Sequence, residues 1–216
     1  MSFTPQEVIT EVRRAISDTR AASYRYDDTH LLGLVNQVLQ RIAILRPDLV
    51  SVVGTMTCVA GALQTAPATS MRLMDVLMSG DGYTVNEVNR ETMDLAFSTW
   101  QTGTTGPARD WMRHVRSPNR FFVFPPSSVD QTLTIEYAES PTPLALTDTV
   151  PHLPDAYFPC VVDGVVWLAE SVDNEHVSTG RAKMMQETFH QMLGMSAQNK
   201  NVTDFEPSNL PAAQVT

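Results

Sequence analysis

Long apolar runs are absent from this sequence. No stretch approaches the roughly 20 consecutive apolar residues that a membrane-spanning helix needs. The first ten residues also lack the basic start and the apolar core of a secretory signal. The sequence therefore predicts neither insertion into a membrane nor export.

Cysteine is scarce as well. The chain has two cysteines, Cys58 and Cys160, far apart in the sequence. A structural disulfide between them stays an alternative, but two reduced and buried thiols are the favoured interpretation for a cytosolic product. Cys160 lies in an apolar helical run, which indicates a small buried side chain rather than a nucleophile.

The sequence also lacks the short motifs of common catalytic and cofactor sites. It has no Walker-type phosphate loop, no GxGxxG turn after a strand, no GxSxG elbow and no HExxH helix. Glu187 and His190 do form the Glu-x-x-His spacing of carboxylate-bridged di-iron bundles, with Glu170 as a further ligand candidate. Such bundles need the motif twice, and it occurs once here. We therefore expect an exposed polar helix face, no metal, no other cofactor and no enzymatic activity. A small metal-binding helical-bundle enzyme is the alternative.

Positive charge is in short supply too. The chain has 15 Lys and Arg residues and 24 Asp and Glu residues, which gives a formal net charge of -9. Binding of a phosphate backbone needs the opposite balance, so it is excluded as the main activity. Hydrophobic residues make up 43% of the 216 positions, and a packed core is therefore feasible without disulfides or metals.

The signals that are present begin with a predicted helix pair at the N-terminal end. Thr4, Pro5 and Glu7 form a capping box at the start of the first helix. Asp27 or Asp28 caps the second helix, and Pro47 ends it. Apolar residues recur along both helices at helical spacing, which predicts that the two helices form a hairpin.

The middle of the chain has the pattern of strands. We predict strands over residues 50–53, 55–63, 71–78, 110–115, 120–124 and 131–138, with a bulge at Gly61 and a short helix over residues 90–97. Residues 79–82 form a turn, after which residues 83–88 return as the hairpin partner of the preceding strand. Pro125 and Pro126 separate the last two strands. The pattern is typical of an antiparallel sheet.

Helical spacing returns after a proline-rich crossover. Asp155 is predicted to cap a helix that continues to Ala169, and a second helix runs from about Ser178 with Gly194 as its C-cap. The order of elements predicts an α+β fold. A helical bundle (residues 1–48 and 152–195) combines an N-terminal and a C-terminal helix pair. It carries an inserted antiparallel β-module (residues 49–151) and an extended C-terminal arm (residues 196–216). Each helix pair has an apolar stripe that needs a partner, so we expect the two pairs to pack together.

A series of short motifs follows one another along the chain. They are Tyr26-Asp27-Asp28 with Leu31-Leu32 and Asn36, Arg46-Pro47-Asp48, residues 59–67, Asp81-Gly82, Val88-Asn89-Arg90, Met93-Asp94, Trp100, residues 119–126, Ile135-Glu136-Tyr137, Ser140-Pro141 and Leu153-Pro154-Asp155-Ala156-Tyr157. In this order and spacing they resemble the head-to-tail adaptor (connector, or head-completion) proteins of short-tailed and related tailed bacteriophages.

This resemblance implies a structural protein of the virion, assembled in the host cytoplasm and located at the head–tail interface. It implies a homo-oligomeric ring of about twelve copies that binds the portal protein and tail (nozzle or fibre) proteins and leaves a channel for DNA ejection. The acidic composition leads us to expect that DNA passes through without specific binding. Another cytosolic interaction module is a further alternative.

Candidate partner-binding residues lie in three segments outside the predicted core. Two loops, residues 79–82 and 102–107, face tail proteins or a neighbouring subunit with Gly80, Asp81, Gly82, Thr104 and Thr105. The arm, which prolines interrupt, offers isolated apolar side chains to the portal or a neighbouring subunit, namely Val202, Phe205 and Leu210.

Overall fold

The computed structural model of the chain describes residues 3–171 and 179–194. Within these residues the fold is α+β, with five α-helices and two β-sheets. The helices are α1 (Pro5–Ala15), α2 (Asp28–Leu45), α3 (Arg90–Ala96), α4 (Phe158–Glu170) and α5 (Thr179–Met192). The strands are β1 (Ser51–Thr57), β2 (Gly61–Thr65), β3 (Ser70–Ser79), β4 (Asn86–Glu87), β5 (Asp110–Arg113), β6 (Arg120–Ser127) and β7 (Thr132–Glu139). None of these helices is long and apolar enough to cross a bilayer.

The first two helices begin where the sequence predicts them. The Thr4 hydroxyl accepts a hydrogen bond from the Glu7 backbone N–H at 3.3 Å, and the Glu7 carboxylate accepts one from the Thr4 N–H at 2.7 Å. Asp27 accepts from the His30 N–H at 2.6 Å and caps α2. Both caps satisfy backbone donors that have no partner inside the helix, which confirms these predicted starts.

Asp155 does not cap α4 as predicted. It lies in a short 3-10 turn, Asp155–Tyr157, and α4 begins at Phe158 without a side-chain cap. Pro159 occupies the first turn of α4. Because proline has no N–H and its φ suits a first turn, the helix begins beside Pro159 and needs one capping acceptor fewer.

Helices from both ends of the chain share one hydrophobic cluster. Val35 of α2 and Val165 of α4 are fully buried in it, together with Phe189 of α5. Two long-range hydrogen bonds join the same segments. The Tyr26 hydroxyl donates to the Ala169 carbonyl at 2.9 Å, and the Arg46 guanidinium donates to the Leu193 carbonyl at 2.8 Å. Segments more than 140 positions apart therefore lie side by side.

Gly164 allows α4 to lie close to its neighbours. A Cβ atom at this position would be 2.8 Å from Cγ1 of Val38 and 2.9 Å from Cε2 of Phe189. Real Cβ atoms do not make contacts this short, because packed interiors leave no room for overlap. The absence of a side chain at Gly164 thus sets how closely α4 approaches α2 and α5.

The helices α1, α2, α4 and α5 with their connections, called the helical side below, also bury an ionic group. Arg13 is 6% exposed and donates to Asp18 Oδ2 at 2.7 Å, Asp28 Oδ1 at 2.7 Å and the Tyr26 carbonyl at 2.8 Å. Its guanidinium carbon lies 3.6 Å from the ring centroid of Tyr24. Each buried charge therefore has partners, as burial away from water requires.

The middle of the chain forms two sheets rather than the one antiparallel sheet that the pattern predicts. The first has the strand order β1-β7-β3 and is antiparallel, whereas the second has the order β2-β6-β5-β4 and includes a parallel pair, β4 and β5. Buried side chains of both sheets, such as Ile135 and Phe121, share one cluster. The predicted return of residues 83–88 along β3 stops after a single bridge between Met78 and Thr84. Val85 is buried in the shared cluster, and the chain then crosses to the second sheet.

Several predicted strand bounds are wrong. β1 runs unbroken over Ser51–Thr57 although a break at residue 54 is predicted, and β5 ends at Arg113 rather than at residue 115. Residues 55–63 are not one strand, because β1 ends at Thr57 and β2 begins at Gly61, whose φ of 110° suits the glycine. The register of β2 shifts between Gly61 and Leu63, which confirms the predicted bulge. β6 continues through Pro125 and Pro126 instead of ending before them. A proline keeps its carbonyl acceptor, and the Pro126 carbonyl accepts from the Gly106 N–H at 3.0 Å.

Candidate interaction surface

The turn at residues 79–82 connects β3 to residues 83–85, from which the chain continues to the second sheet. The tip of the turn is exposed. The Gly82 N–H donates to the Ser79 carbonyl and the Gly80 N–H donates to the Thr132 carbonyl, each at 2.8 Å. Gly82 has a φ of 86°, and a Cβ on Gly80 would lie 2.2 Å from Oγ1 of Thr132. Both glycines are therefore needed for the shape of the turn.

Asp81 is the charged residue of this turn and already has partners within the chain. Its carboxylate accepts hydrogen bonds from the Ser79 hydroxyl and from Nη2 of Arg109, the latter at 3.0 Å. The Ser79 hydrogen bond and the Arg109 charge hold the pKa of Asp81 below its usual range. Asp81 is thus an ionised, oriented acceptor at neutral pH.

Arg109 joins the turn to the second predicted loop. It lies two positions after the end of the loop over residues 102–107, and its guanidinium carbon lies 3.9 Å from the ring centroid of Tyr83. Its backbone N–H donates to the Phe124 carbonyl at 2.8 Å, which anchors this end of the loop to β6. Sequence reasoning missed Arg109 and Tyr83. Their pairing spans 26 to 28 positions, and no local spacing signals it.

The loop over residues 102–107 is held by backbone hydrogen bonds at both ends, and the residues between them are exposed. The Thr102 N–H donates to the Thr99 carbonyl at 3.0 Å, and the Gly106 N–H bonds to β6 as described above. The side chains of Thr104 and Thr105 are exposed between these points. The structure therefore brings the end of this loop beside the turn at Asp81, while the two threonines face solvent.

The predicted anchors of the C-terminal arm, Val202, Phe205 and Leu210, lie outside the described residues. The structure therefore leaves their role as a prediction.

Glu170 and His190, two candidate ligands of the alternative metal site, each contact other side chains in the structure. Glu170 is 2% exposed and lies 3.7 Å from Nη1 of Arg25, as an ion pair. The His190 ring packs beside Trp167 and Phe189. Across residues 3–171 and 179–194, no three His, Cys, Asp or Glu side chains come close enough to hold a metal ion.

Both cysteines are free and buried, so the disulfide alternative is wrong. Burial raises the pKa of the Cys58 thiol. Burial and, secondarily, the neighbouring Asp163 raise the pKa of the Cys160 thiol to about 12. Neither thiol forms a reactive thiolate near neutral pH, which agrees with the interpretation of Cys160 as a buried apolar side chain.

One cavity of about 200 Å³ lies beside α2, where β7 leads into the crossover. Its lining is largely apolar, with Leu39, Ile42 and Val150 among the residues. Its titratable residues are Glu139 and His152, whose Oε2 and Nε2 atoms are 3.5 Å apart. The cavity therefore offers few polar groups, whereas the turn around Asp81 combines a carboxylate, a hydroxyl and a guanidinium.

Comparison with known protein families identifies an adaptor family. A family model described as SU10 adaptor protein matches residues 3–209. This range includes both described parts of the chain and most of the C-terminal arm. No curated protein matches the sequence.

Proposed function

The chain belongs to the SU10 adaptor protein family, and from this premise we propose that its copies form a closed ring between the capsid portal and the tail. The family match over residues 3–209 carries the proposal. Membership itself identifies a structural head-to-tail adaptor of a phage and a component of the virion. The proposal adds a ring of about twelve copies, assembled in the host cytoplasm, with a channel for DNA ejection.

We propose that the ring is built on three parts of each chain. The helical bundle comprises residues 1–48 and 152–195, the β-module residues 49–151, and the arm residues 196–216. Separate apolar clusters support the first two parts, because the helices share one cluster and the facing sheets share another. In this arrangement the loops of the β-module can contact partners without disturbing the helical side.

Native mass spectrometry and negative-stain microscopy test the ring. The full chain is examined alone and mixed with the portal protein at equal concentrations. We expect closed rings, alone or on the portal, with one copy number throughout. Particles that stay monomeric under both conditions would contradict the proposal.

Tail proteins bind, on this proposal, at the turn containing Asp81 and at the loop containing Thr104 and Thr105. The support is geometric, because Arg109 joins the two segments and the threonines are exposed. We expect the double change Thr104→Arg and Thr105→Arg to leave the fold intact and to reduce capture of tail proteins. Thr147→Arg together with Thr149→Arg is the matched control, since both threonines are exposed on the crossover. Equal capture by both variants removes the loop from the interface.

The arm binds the portal or a neighbouring subunit on this proposal. Its apolar residues Val202, Phe205 and Leu210 are spaced along a polar, proline-containing sequence, a pattern suited to docking as an extended segment. About twelve arms act together in a ring, so weak single contacts suffice. Deleting residues 201–216 should abolish the portal complex and leave the circular dichroism of the chain unchanged. Undiminished complex formation after this deletion would exclude the arm.

The channel passes DNA without holding it. The support is the formal net charge of -9, because a like-charged wall gains little from contact with phosphates. We expect the assembled ring to show no tight binding of double-stranded DNA at about 0.15 M salt, measured by gel shift. Tight, salt-sensitive binding is the opposite result.

A further inference from the structure

A groove of about 310 Å³ lies between β3 and the connection from β5 to β6. Four arginines line it: Arg72, Arg113, Arg116 and Arg120. No aspartate or glutamate is part of its lining. In a chain with a formal net charge of -9, this arginine groove concentrates positive charge at one place on the surface.

Most of this charge has no acidic partner in the described part of the chain. Arg113 donates to the Glu87 carboxylate at 2.5 and 3.2 Å. Arg72, Arg116 and Arg120 have no carboxylate within 4.0 Å among residues 3–171 and 179–194. Like charges that lie side by side repel one another unless an anionic group joins them. The groove therefore favours an acidic occupant.

The inner side of the groove is apolar. Leu73 and Trp111 form its floor but are only 3% and 0% exposed, so Val115, which is 87% exposed, and Pro118 supply the apolar surface open to an occupant. The indole N–H of Trp111 has no hydrogen-bond acceptor among the described residues. An occupant that places an apolar side chain between acidic groups would match both the lining and the rim.

We propose that the arginine groove binds Asp204, Phe205 and Glu206 of a neighbouring copy, an inference that rests on the proposed ring. Phe205 is the one aromatic residue of the sequence with an acidic residue on each side. Its ring would contact the apolar lining, and the two carboxylates would pair with Arg116, Arg120 or Arg72. A contact between different surfaces of identical copies repeats head to tail, and it closes into a ring where the rotation between successive copies adds up to a full turn.

The length of the arm sets how far the acidic segment can extend from the described chain. Leu193, near the end of the described chain, is held by Arg46 through its carbonyl. The nine residues 195–203 span at most about 30 Å when extended. The acidic segment can therefore lie up to about 30 Å from the end of the described chain.

Disulfide trapping between two copies tests the contact. Ser117→Cys places a thiol at the groove of one full-length copy, and Thr203→Cys places one beside the acidic segment of a second, tagged copy. Cys58 and Cys160 are buried with raised thiol pKa values, so they compete little. We expect a mixed-copy disulfide dimer under a mild oxidant, with the chain alone and on the portal.

Charge reversal sharpens the test. Arg116→Glu together with Arg120→Glu should lower the yield of the mixed dimer at least about tenfold. Asp204→Arg with Glu206→Arg in the second copy should restore it. The control is Arg14→Glu together with Arg20→Glu, the same change of charge at two exposed residues away from the groove. A yield that the groove variant leaves unchanged would overturn the proposal, as would a control effect of equal size.

Two other occupants have distinct outcomes. With both cysteines in one chain, an intramolecular disulfide without mixed dimers assigns the segment to its own groove and overturns the neighbour contact. A 20-base-pair DNA that binds at about 0.15 M salt, and loses binding in the Arg116→Glu and Arg120→Glu variant, assigns the groove to a phosphate backbone. Rings without any mixed dimer refute this inference alone, whereas the absence of rings refutes the proposed function.

Discussion

The helical side and the sheets of this molecule bury different kinds of polar residue. Among the described residues, the buried charged side chains all belong to helical segments or their connections: Arg13, Asp18 and Glu170. The buried polar side chains of the β-module are all uncharged: Gln64, Ser70, Ser79 and Ser127. The two regions thus use different means to satisfy polar groups away from water.

This difference determines how much the loss of one polar partner destabilises each region. A buried ion that loses its partner retains a charge without water around it, which costs several kcal/mol, about 3–5. A neutral group that loses its partner costs about 1–3 kcal/mol. The helical side should therefore be the more sensitive region to changes of charge, and the β-module the more tolerant one.

The largest effect is expected from a new charge on the helical side. Val165→Asp or Val35→Asp places an unpaired carboxylate in the shared cluster and should destabilise the chain by more than about 4 kcal/mol, enough to unfold it. Circular dichroism and thermal melting measure this. Val129→Asp is the matched control at an exposed turn residue and should melt like the unchanged chain. Native-like melting of Val165→Asp would show that the helix pairs do not pack as described.

Removal of an existing buried charge comes next. Arg13→Met keeps much of the side-chain volume but leaves Asp18 without its guanidinium partner, and we expect a loss of about 3–5 kcal/mol in urea unfolding. Adding Asp18→Asn should recover part of the loss, because no uncompensated charge remains. Arg14→Met, at an exposed neighbour, should have little effect. A similar loss for Arg13→Met and Arg14→Met would contradict the special role of the buried pair.

The corresponding change in the β-module should cost less. Gln64 accepts from the Val59 N–H at 2.9 Å and donates to the carbonyls of Val59 and Gly61. Gln64→Leu leaves these backbone groups unsatisfied and should cost about 1–3 kcal/mol in the same measurement. Gln101→Leu, at an exposed position, is the control. If Gln64→Leu costs more than Arg13→Met, the contrast between the two regions fails.

The smallest expected change in stability comes from the titration of one aspartate in each region. Burial raises the pKa of Asp163 in α4 and of Asp110 in β5. Because the folded state holds the proton more tightly than the unfolded chain, each carboxyl stabilises the fold below its unfolded pKa of about 3.9. That contribution is lost as the pH rises through the raised value. Asp163→Asn and Asp110→Asn should therefore both stabilise the chain slightly at pH 7 and not at pH 3.

Urea unfolding at pH 3 and pH 7 measures the change in stability of the Asp163→Asn and Asp110→Asn variants. Asp130→Asn, at an exposed turn, is the control. A gain at pH 7 in only one of the two regions would show that desolvation of carboxyl groups differs between them. A gain of equal size at pH 3 would exclude titration as its cause.

Local chemistry explains which elements the sequence predicts well. The capping box at Thr4 and Glu7 and the cap at Asp27 act within four residues, so the sequence alone locates both helix starts. The turn at Gly82 is equally local, since a positive φ favours glycine at any such site. The candidate loop residues Gly80, Asp81, Thr104 and Thr105 are exposed, and their contact with a partner stays a prediction.

Tertiary contacts decide the features that the sequence did not reveal. The segment after Thr84 leaves β3 because Val85 is buried between the sheets, and β6 continues through Pro125 because carbonyls on that strand accept bonds from elsewhere. The link from Arg109 to Asp81 joins residues 28 positions apart. The arginine groove likewise combines Arg72 of β3 with residues of a distant hairpin. Such juxtapositions depend on strand order, which periodicity does not contain.

Gly164 has a consequence for an assembly of identical chains. The missing side chain fixes the distance between three helices, and an added methyl group would shift them by a fraction of an ångström. In a single molecule that shift is small. In a closed ring every copy carries the same displacement, and the angular errors at successive interfaces add up around the circle. In the proposed ring of about twelve copies, the fit of one glycine between helices would become a condition for the last subunit to meet the first.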